Sequence, residues 1–249
     1  MRLAPPGATI LSGMRLQAIF LLLFSCLGLA QAPDSVLADG LRLLEEGRTT
    51  LEEKPLTDAK IYFSRLVQTS KKPAYFYQLA RANSYLTDSY AARHENMRAE
   101  QALGDAIAAV QHCLALDDKS AAAHSLLADL YGRKISLGAL LGGPRFGPKI
   151  VAENKQALDL APNDAVAHAS LGRQYLYAPK MFGGDVGKAI ENFLKATHFD
   201  PGNDENFGWL AVAYRKGGNA GNSEKALRQA LELNPRSAFA KATAAGSIR

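Results

Sequence analysis

The chain has 249 residues, 47% hydrophobic and 21% charged, with a formal net charge of +5. That composition excludes a disordered polymer and leaves room for a large apolar core. The positive balance is mild and no run of Lys or Arg concentrates it, which excludes the basic patch that nucleic-acid binding needs.

Residues 1–32 hold Arg2 and Arg15, no acidic side chain, and an apolar run from Leu16 to Leu29 broken only by Gln17, Ser25 and Gly28. This is the pattern of a signal peptide. The run is shorter than the roughly 20 apolar residues of a membrane span, and no other segment is a candidate. The expectation is therefore an exported chain, periplasmic or secreted, with no membrane span. Ala30-Gln31-Ala32 offers a small-x-small cleavage site, although Pro33 disfavours a cut directly before it and a cut after Ala30 stays open. Leu23-Phe24-Ser25-Cys26 offers a lipobox in which Phe24 is bulky, so a lipid anchor at Cys26 is the second reading. Met14 is an alternative start. Cleavage removes two of the 29 basic residues and none of the 24 acidic ones, and leaves Cys113 with no partner for an internal disulfide.

Beyond the signal segment the chain reads as consecutive helix hairpins. The first covers about 34–72, where Ala59 and Phe63 in "DAKIYFSRL" have the spacing of a second helix. The next, at 73–119, has Leu79 and Ala80 at first-helix spacing and closes with "HCLALDD". At 120–163, Leu127, Ala128 and Tyr131 precede Ala157 and Pro162. At 164–202, Leu171, Gly172 and Tyr175 precede Ala189, Phe193, Ala196 and Pro201. The last, at 203–236, places Leu210, Ala211 and Tyr214 before Leu227, Ala230 and Pro235, and a short capping helix follows. Small residues let two antiparallel helices approach, large ones fill the gap, and proline stops the outgoing helix. Asp164, Asn203 and Ser237 stand where first helices should be capped, and Asp185 where a second should be.

The phrases "QALDLAPND", "KATHFDPGN" and "QALELNPRS" resemble the end of a tetratricopeptide repeat, and the first-helix positions resemble its beginning. The resemblance is specific from about 120 to 237 and degenerate over 33–119. It implies an all-α, right-handed α-solenoid of about five hairpins plus the cap, one continuous domain in which no hairpin buries its apolar face alone. It also implies that binding falls on the concave face of the first helices. There the matching positions are Asp129, Arg133, Arg173, Tyr177, Arg215 and Lys216. Their basic majority suggests an acidic peptide or a carboxylate ligand, with a solvated basic face as the plainer alternative. The Lys/Asn carboxylate clamp of the chaperone-binding members is not reproduced by Ser125, Ala169 and Gly208.

Two insertions, "LGGPRFGPK" and "PKMFGGD", interrupt the third and fourth hairpins between first and second helix, so a solenoid would show both on one edge. They read as loops whose Phe146 and Phe182 either pack against neighbours or form a ligand-facing lip. The second loop lacks the Gly-Lys-Ser/Thr ending of a phosphate-binding loop. His112 and Cys113 are adjacent, but Cys113 falls on a small core position and His112 points elsewhere, so no metal site is expected. His124 and His168 share one repeat position and read as structural. No cofactor and no catalytic motif is found, and the expected function is a non-catalytic scaffold for a protein or peptide, not an enzyme.

"LYGRKISLG", the Gly/Pro insertion and "PKMFGGD" followed by "KAI" are similar to exported tetratricopeptide proteins related to the T component of TRAP-type transporters. That resemblance implies a periplasmic solute-binding protein as partner and small apolar or acidic solutes as ligands. The resulting alternative is a carrier or transport accessory, which predicts a cavity under the two loops in place of an open groove.

Overall fold

The computed structural model describes residues 33–138 and 142–246, and the chain divides into two units, residues 1–36 and 37–249. The expected signal segment, with Cys26 and Met14, lies outside the described residues. Among the described residues there are eleven α-helices and no strand. They are α1 (Pro33–Thr50), α2 (Glu53–Thr69), α3 (Pro73–Ala92), α4 (Asn96–Leu116), α5 (Ala121–Ser136), α6 (Gly142–Leu160), α7 (Ala165–Tyr177), α8 (Val186–Phe199), α9 (Asp204–Lys216), α10 (Ala220–Leu233) and α11 (Ala238–Ala244). None is long and apolar enough to cross a membrane.

From α3 to α10 each odd-numbered helix pairs with the even-numbered one after it, and α3, α5, α7, α9 and α11 also pack on one another in sequence. This is the arrangement of a helical-hairpin solenoid, and it follows from the residues counted in the sequence. Ala189, Phe193, Ala196, Ala211 and Ala230 are buried where the hairpin positions put them. Chain entry is fixed by side-chain caps: Asp164 accepts from Ala167 N–H, Asn203 from Glu205 N–H, Ser237 from Ala240 N–H and Asp185 from Lys188 N–H. Each satisfies a backbone donor that the helix leaves open.

The degenerate first half has its own packing logic. Leu44, Leu56, Phe63, Leu86 and Tyr90 form one apolar cluster, Leu103, Val110, Leu127, Tyr131, Phe146 and Ile150 contribute to a second, and Leu176, Phe193, Leu210 and Val212 to a third. The first and third clusters have no residue in common. The core is thus strung along the stack, as repeat architectures require.

One insertion differs from expectation. "GGPRFGPK" is not a loop; it forms the first turns of α6. Pro144 stands in the opening turn, where its missing N–H costs nothing, and only Pro148 removes a hydrogen bond from the helix interior. Phe146 is buried and stacks on Tyr131 at 5.4 Å, so it belongs to the core and not to a lip. The other insertion is a true joint. Lys180–Phe182 make one 3₁₀ turn, Gly183 follows at φ +89°, and Asp185 N–H donates to Tyr175 O at 2.9 Å.

Candidate binding cavity on the concave face

The first helices curve around a cavity of about 1090 Å³. Its wall draws on α3, α5, α7, α9 and α11, on the opening turns of α6, and on the α7–α8 joint through Pro179 and Phe182. Leu51 and His94, both held at positive φ in hairpin turns, also border it.

Aromatic rings gather at the C-terminal end. Trp209 packs on Phe239 of the capping helix at 4.6 Å and meets Tyr177 edge-on at 6.1 Å. Arg173 places its guanidinium 5.5 Å from the Trp209 ring, and Lys216 its ammonium 5.0 Å from the Tyr177 ring. Such contacts hold a cation by the ring quadrupole. Tyr85 and Ile135 extend the apolar lining toward the first half of the stack.

The charged groups of the wall are paired with one another. Asp129 accepts from Arg133 Nε at 3.0 Å with one oxygen and from Arg173 Nε at 2.7 Å with the other. Arg133 reaches on to Asp88 through Nη1. Burial alone would push the Asp129 carboxyl up, but the Arg173 and Arg133 guanidinium groups hold it below the usual carboxylate range. For Asp88 burial wins over Arg133, and its carboxyl is raised.

A second cluster joins the two ends of the stack. Arg48, near the end of α1, donates from Nη2 to Asp204 at 3.0 Å and from Nη1 to Glu205 at 3.2 Å, both in the first turn of α9. Its Nη2 also donates to Glu45 at 2.6 Å. Arg48 and Glu205 both line the cavity. Burial raises the Glu205 carboxyl, with Arg48 opposing.

Of the side chains expected on the concave face, Asp129, Arg133, Arg173 and Tyr177 therefore come together at the cavity, with Lys216 held beside Tyr177. Arg215 instead donates from Nη2 to Thr243 O at 2.7 Å, which ties α9 to the capping helix. Phe182 stands at the rim, 67% exposed, whereas Phe146 is in the core. The sequence reading missed Tyr85, Trp209, Phe239, Asp88, Arg48 and Glu205. Tyr85 carried a signal: counting from Leu79 and Ala80 puts it at the same repeat position as Arg133 and Tyr177.

His124 and His168 sit where packing needs them. His168 bridges Asn192 Oδ1 at 3.1 Å and Pro162 O at 2.9 Å, and His124 bridges Glu153 at 2.6 Å and Asp118 O at 3.0 Å. Cys113 is buried with its thiol pushed up to about 11 by burial, while His112 is exposed against Phe76. Among the described residues no group of three metal-ligating side chains converges.

No family model matches the sequence, and no curated protein does. Solved structures match. A thermophilic TPR protein of Thermus thermophilus is 18% identical over 87% of this chain and 98% of that one, with a TM-score of 0.66. YrrB, described as a TPR protein with an unusual peptide-binding site, is 16% identical over 83% and 97%, with a TM-score of 0.41. MamA from Desulfovibrio magneticus RS-1 is 16% identical over 80% and 93%, with a TM-score of 0.40. Likeness to the Thermus protein at this level of identity is one of architecture, and it agrees with the helical-hairpin stack described above. The chain has the fold of the tetratricopeptide-repeat proteins.

Proposed function

We propose that this chain is an exported, non-catalytic binding scaffold whose concave face holds a compact, mainly apolar guest. The observation that carries the reading is the cavity. Its volume of about 1090 Å³ lies just above the range of about 300–1,000 Å³ that small-molecule sites occupy. Its lining combines Trp209, Phe239, Tyr177 and Tyr85 with a set of charged groups already paired to one another, so the surface offered to a guest is mainly aromatic and aliphatic, as such sites favour.

An acidic partner fits less well than the sequence suggested. Arg48, Arg133 and Arg173 are matched in the wall by Asp88, Asp129 and Glu205, so an incoming carboxylate would have to compete with carboxylates already in place. The same pairing supports the absence of acid–base catalysis, because each of these carboxylates faces a guanidinium group as structural ion pairs do.

A protein partner has one observation in its favour. Met181 and Phe182 are 83% and 67% exposed on the joint beside the cavity, an apolar step at which a second protein could dock to deliver or take the guest. Export and a solute-binding protein as that partner follow from the N-terminal segment and from the resemblance to TRAP T components, and they belong to the proposal.

Trp209 is the sole tryptophan and lies in the wall, so its emission reports occupancy. Titration with the neutral apolar dye phenylnaphthylamine should quench Trp209 and saturate at one dye per chain. Retention of the same affinity in a Tyr177→Ala, Phe239→Ala variant would reject the cavity as the site.

A further inference from the structure

We infer that Arg48 is an ionic clasp that closes one side of the concave groove and whose release widens the way by which a guest exchanges. Arg48 crosses from the first hairpin to the fifth and contacts Asp204 and Glu205, more than 150 residues away in sequence. Solenoid repeats ordinarily touch only their neighbours, so this contact is not required by the stacking. The apolar clusters on its two sides, around Leu56 and Phe63 and around Phe193 and Leu210, have no common residue. Each side is packed without the other, and the junction is made by a guanidinium group and carboxylates.

That division lets the junction open while both cores stay folded. A core contact would tie opening to unfolding, because close-packed apolar surfaces do not separate in part. An ion pair is bistable in the needed way: closed, Arg48 satisfies Asp204 and Glu205; open, water solvates all three. The closed pair also suits a gate energetically, since attraction and the cost of desolvating the charges offset each other. Arg48 and Glu205 both line the cavity, so separating them widens its wall at one place. Asp204 is anchored from its own side as well, accepting from Asn234 Nδ2 at 3.2 Å, so the part that swings is the first hairpin, α1 together with the cluster its Leu44 forms with Leu56 and Phe63.

The inference rests on the cavity being the binding site, and its test separates the two ideas. Spin labels on Glu46→Cys and Gly202→Cys, in a full chain carrying Cys26→Ser and Cys113→Ala, report the separation of α1 from the entry to α9. The unmutated clasp should give one short distance. Arg48→Glu should lengthen it with far-UV circular dichroism unchanged, and phenylnaphthylamine should leave the variant several-fold faster. Arg48→Met, which keeps the apolar stem and loses the charge, serves as the gentler variant should charge reversal prevent folding. An unchanged distance in the variants overturns the clasp. A longer distance with unaltered dye release overturns its role as a gate. If the dye binds neither form, the cavity reading fails, while the distances still decide whether Arg48 holds the ends together.

Discussion

Gly172 lies against the ring of Phe193, so close that a Cβ on residue 172 would come within 2.8 Å of Cε1. The two residues stand on the facing helices of the fourth hairpin, and the missing side chain of one makes room for the ring of the other. Gly172→Leu should therefore lower stability by about 1–3 kcal/mol through overpacking. Thermal unfolding checks it: about 2–4 °C is lost per kcal/mol in a chain of this size. An unchanged midpoint would remove the register on which the hairpin assignment stands.

Phe146 and Phe182 look equivalent in sequence and should part in experiment. Phe146, stacked on Tyr131 in the core, should cost about 3 kcal/mol when changed to Ala. Phe182, exposed at the rim, should cost little stability and weaken phenylnaphthylamine binding instead. Equal stability losses in the two variants would contradict the placement of Phe182 beside the cavity mouth.

The difference between those two residues marks how far the sequence could be read. Hairpin order, caps and small core positions were legible because each is local: a cap acts within one turn, and a hairpin contact falls within one repeat. "GGPRFGPK" misled because glycine and proline usually break helices, whereas here Pro144 occupies the one turn that tolerates it. The concave positions were found by repeat counting, but their charges were read as if exposed to a partner. Whether Arg173 faces solvent or Asp129 depends on how neighbouring repeats stack, and no spacing within one repeat carries that information. The Arg48 contact was beyond reach for a stronger reason: it depends on the curvature summed over the whole stack.

Asp129 and Asp88 should respond differently to acid. The Asp129 carboxyl sits below the ordinary range, so its ion pairs add stability above about pH 4 and lose it as pH falls through the lower folded value. Burial raises the Asp88 carboxyl, so its charged form costs stability at neutral pH, and that cost is relieved as pH falls through its folded value. Asp129→Asn should lose about 3 kcal/mol at neutral pH and flatten the acid limb of the stability profile. Asp88→Asn should lose much less. Melting temperatures across pH 3 to 7, a span of about four units around the ordinary carboxylate value, decide it; equal losses in the two variants would show that Asp129 is not the centre of the network.

The joint between α7 and α8 makes Gly184 obligatory, since a Cβ there would fall 1.8 Å from Ala178 O, a backbone atom that cannot turn aside. Gly184→Ala should displace the joint and break the hydrogen bond from Asp185 N–H to Tyr175 O. A stability loss of about 1–3 kcal/mol is expected. Faster hydrogen exchange at Asp185 would place the damage in the joint; unchanged protection there would show that the turn is not held by this contact.

Arg215 tests the boundary between binding surface and structure. In the sequence it belongs with Arg173 as a groove cation, yet its Nη2 holds Thr243 O of the capping helix at 2.7 Å. That helix carries Phe239, whose ring lies 4.6 Å from Trp209. Arg215→Glu should therefore act on the cap before it acts on any partner: α11 loosens, Phe239 withdraws, and Trp209 gains water. A red shift in the emission of the unliganded protein, with a stability loss of about 1–3 kcal/mol from the broken charged hydrogen bond, is the expected result. Arg173→Glu works by another route, setting a second carboxylate beside Asp129 while the cap stays seated. Unshifted emission in Arg215→Glu would return that arginine to the binding face, where the repeat positions first put it.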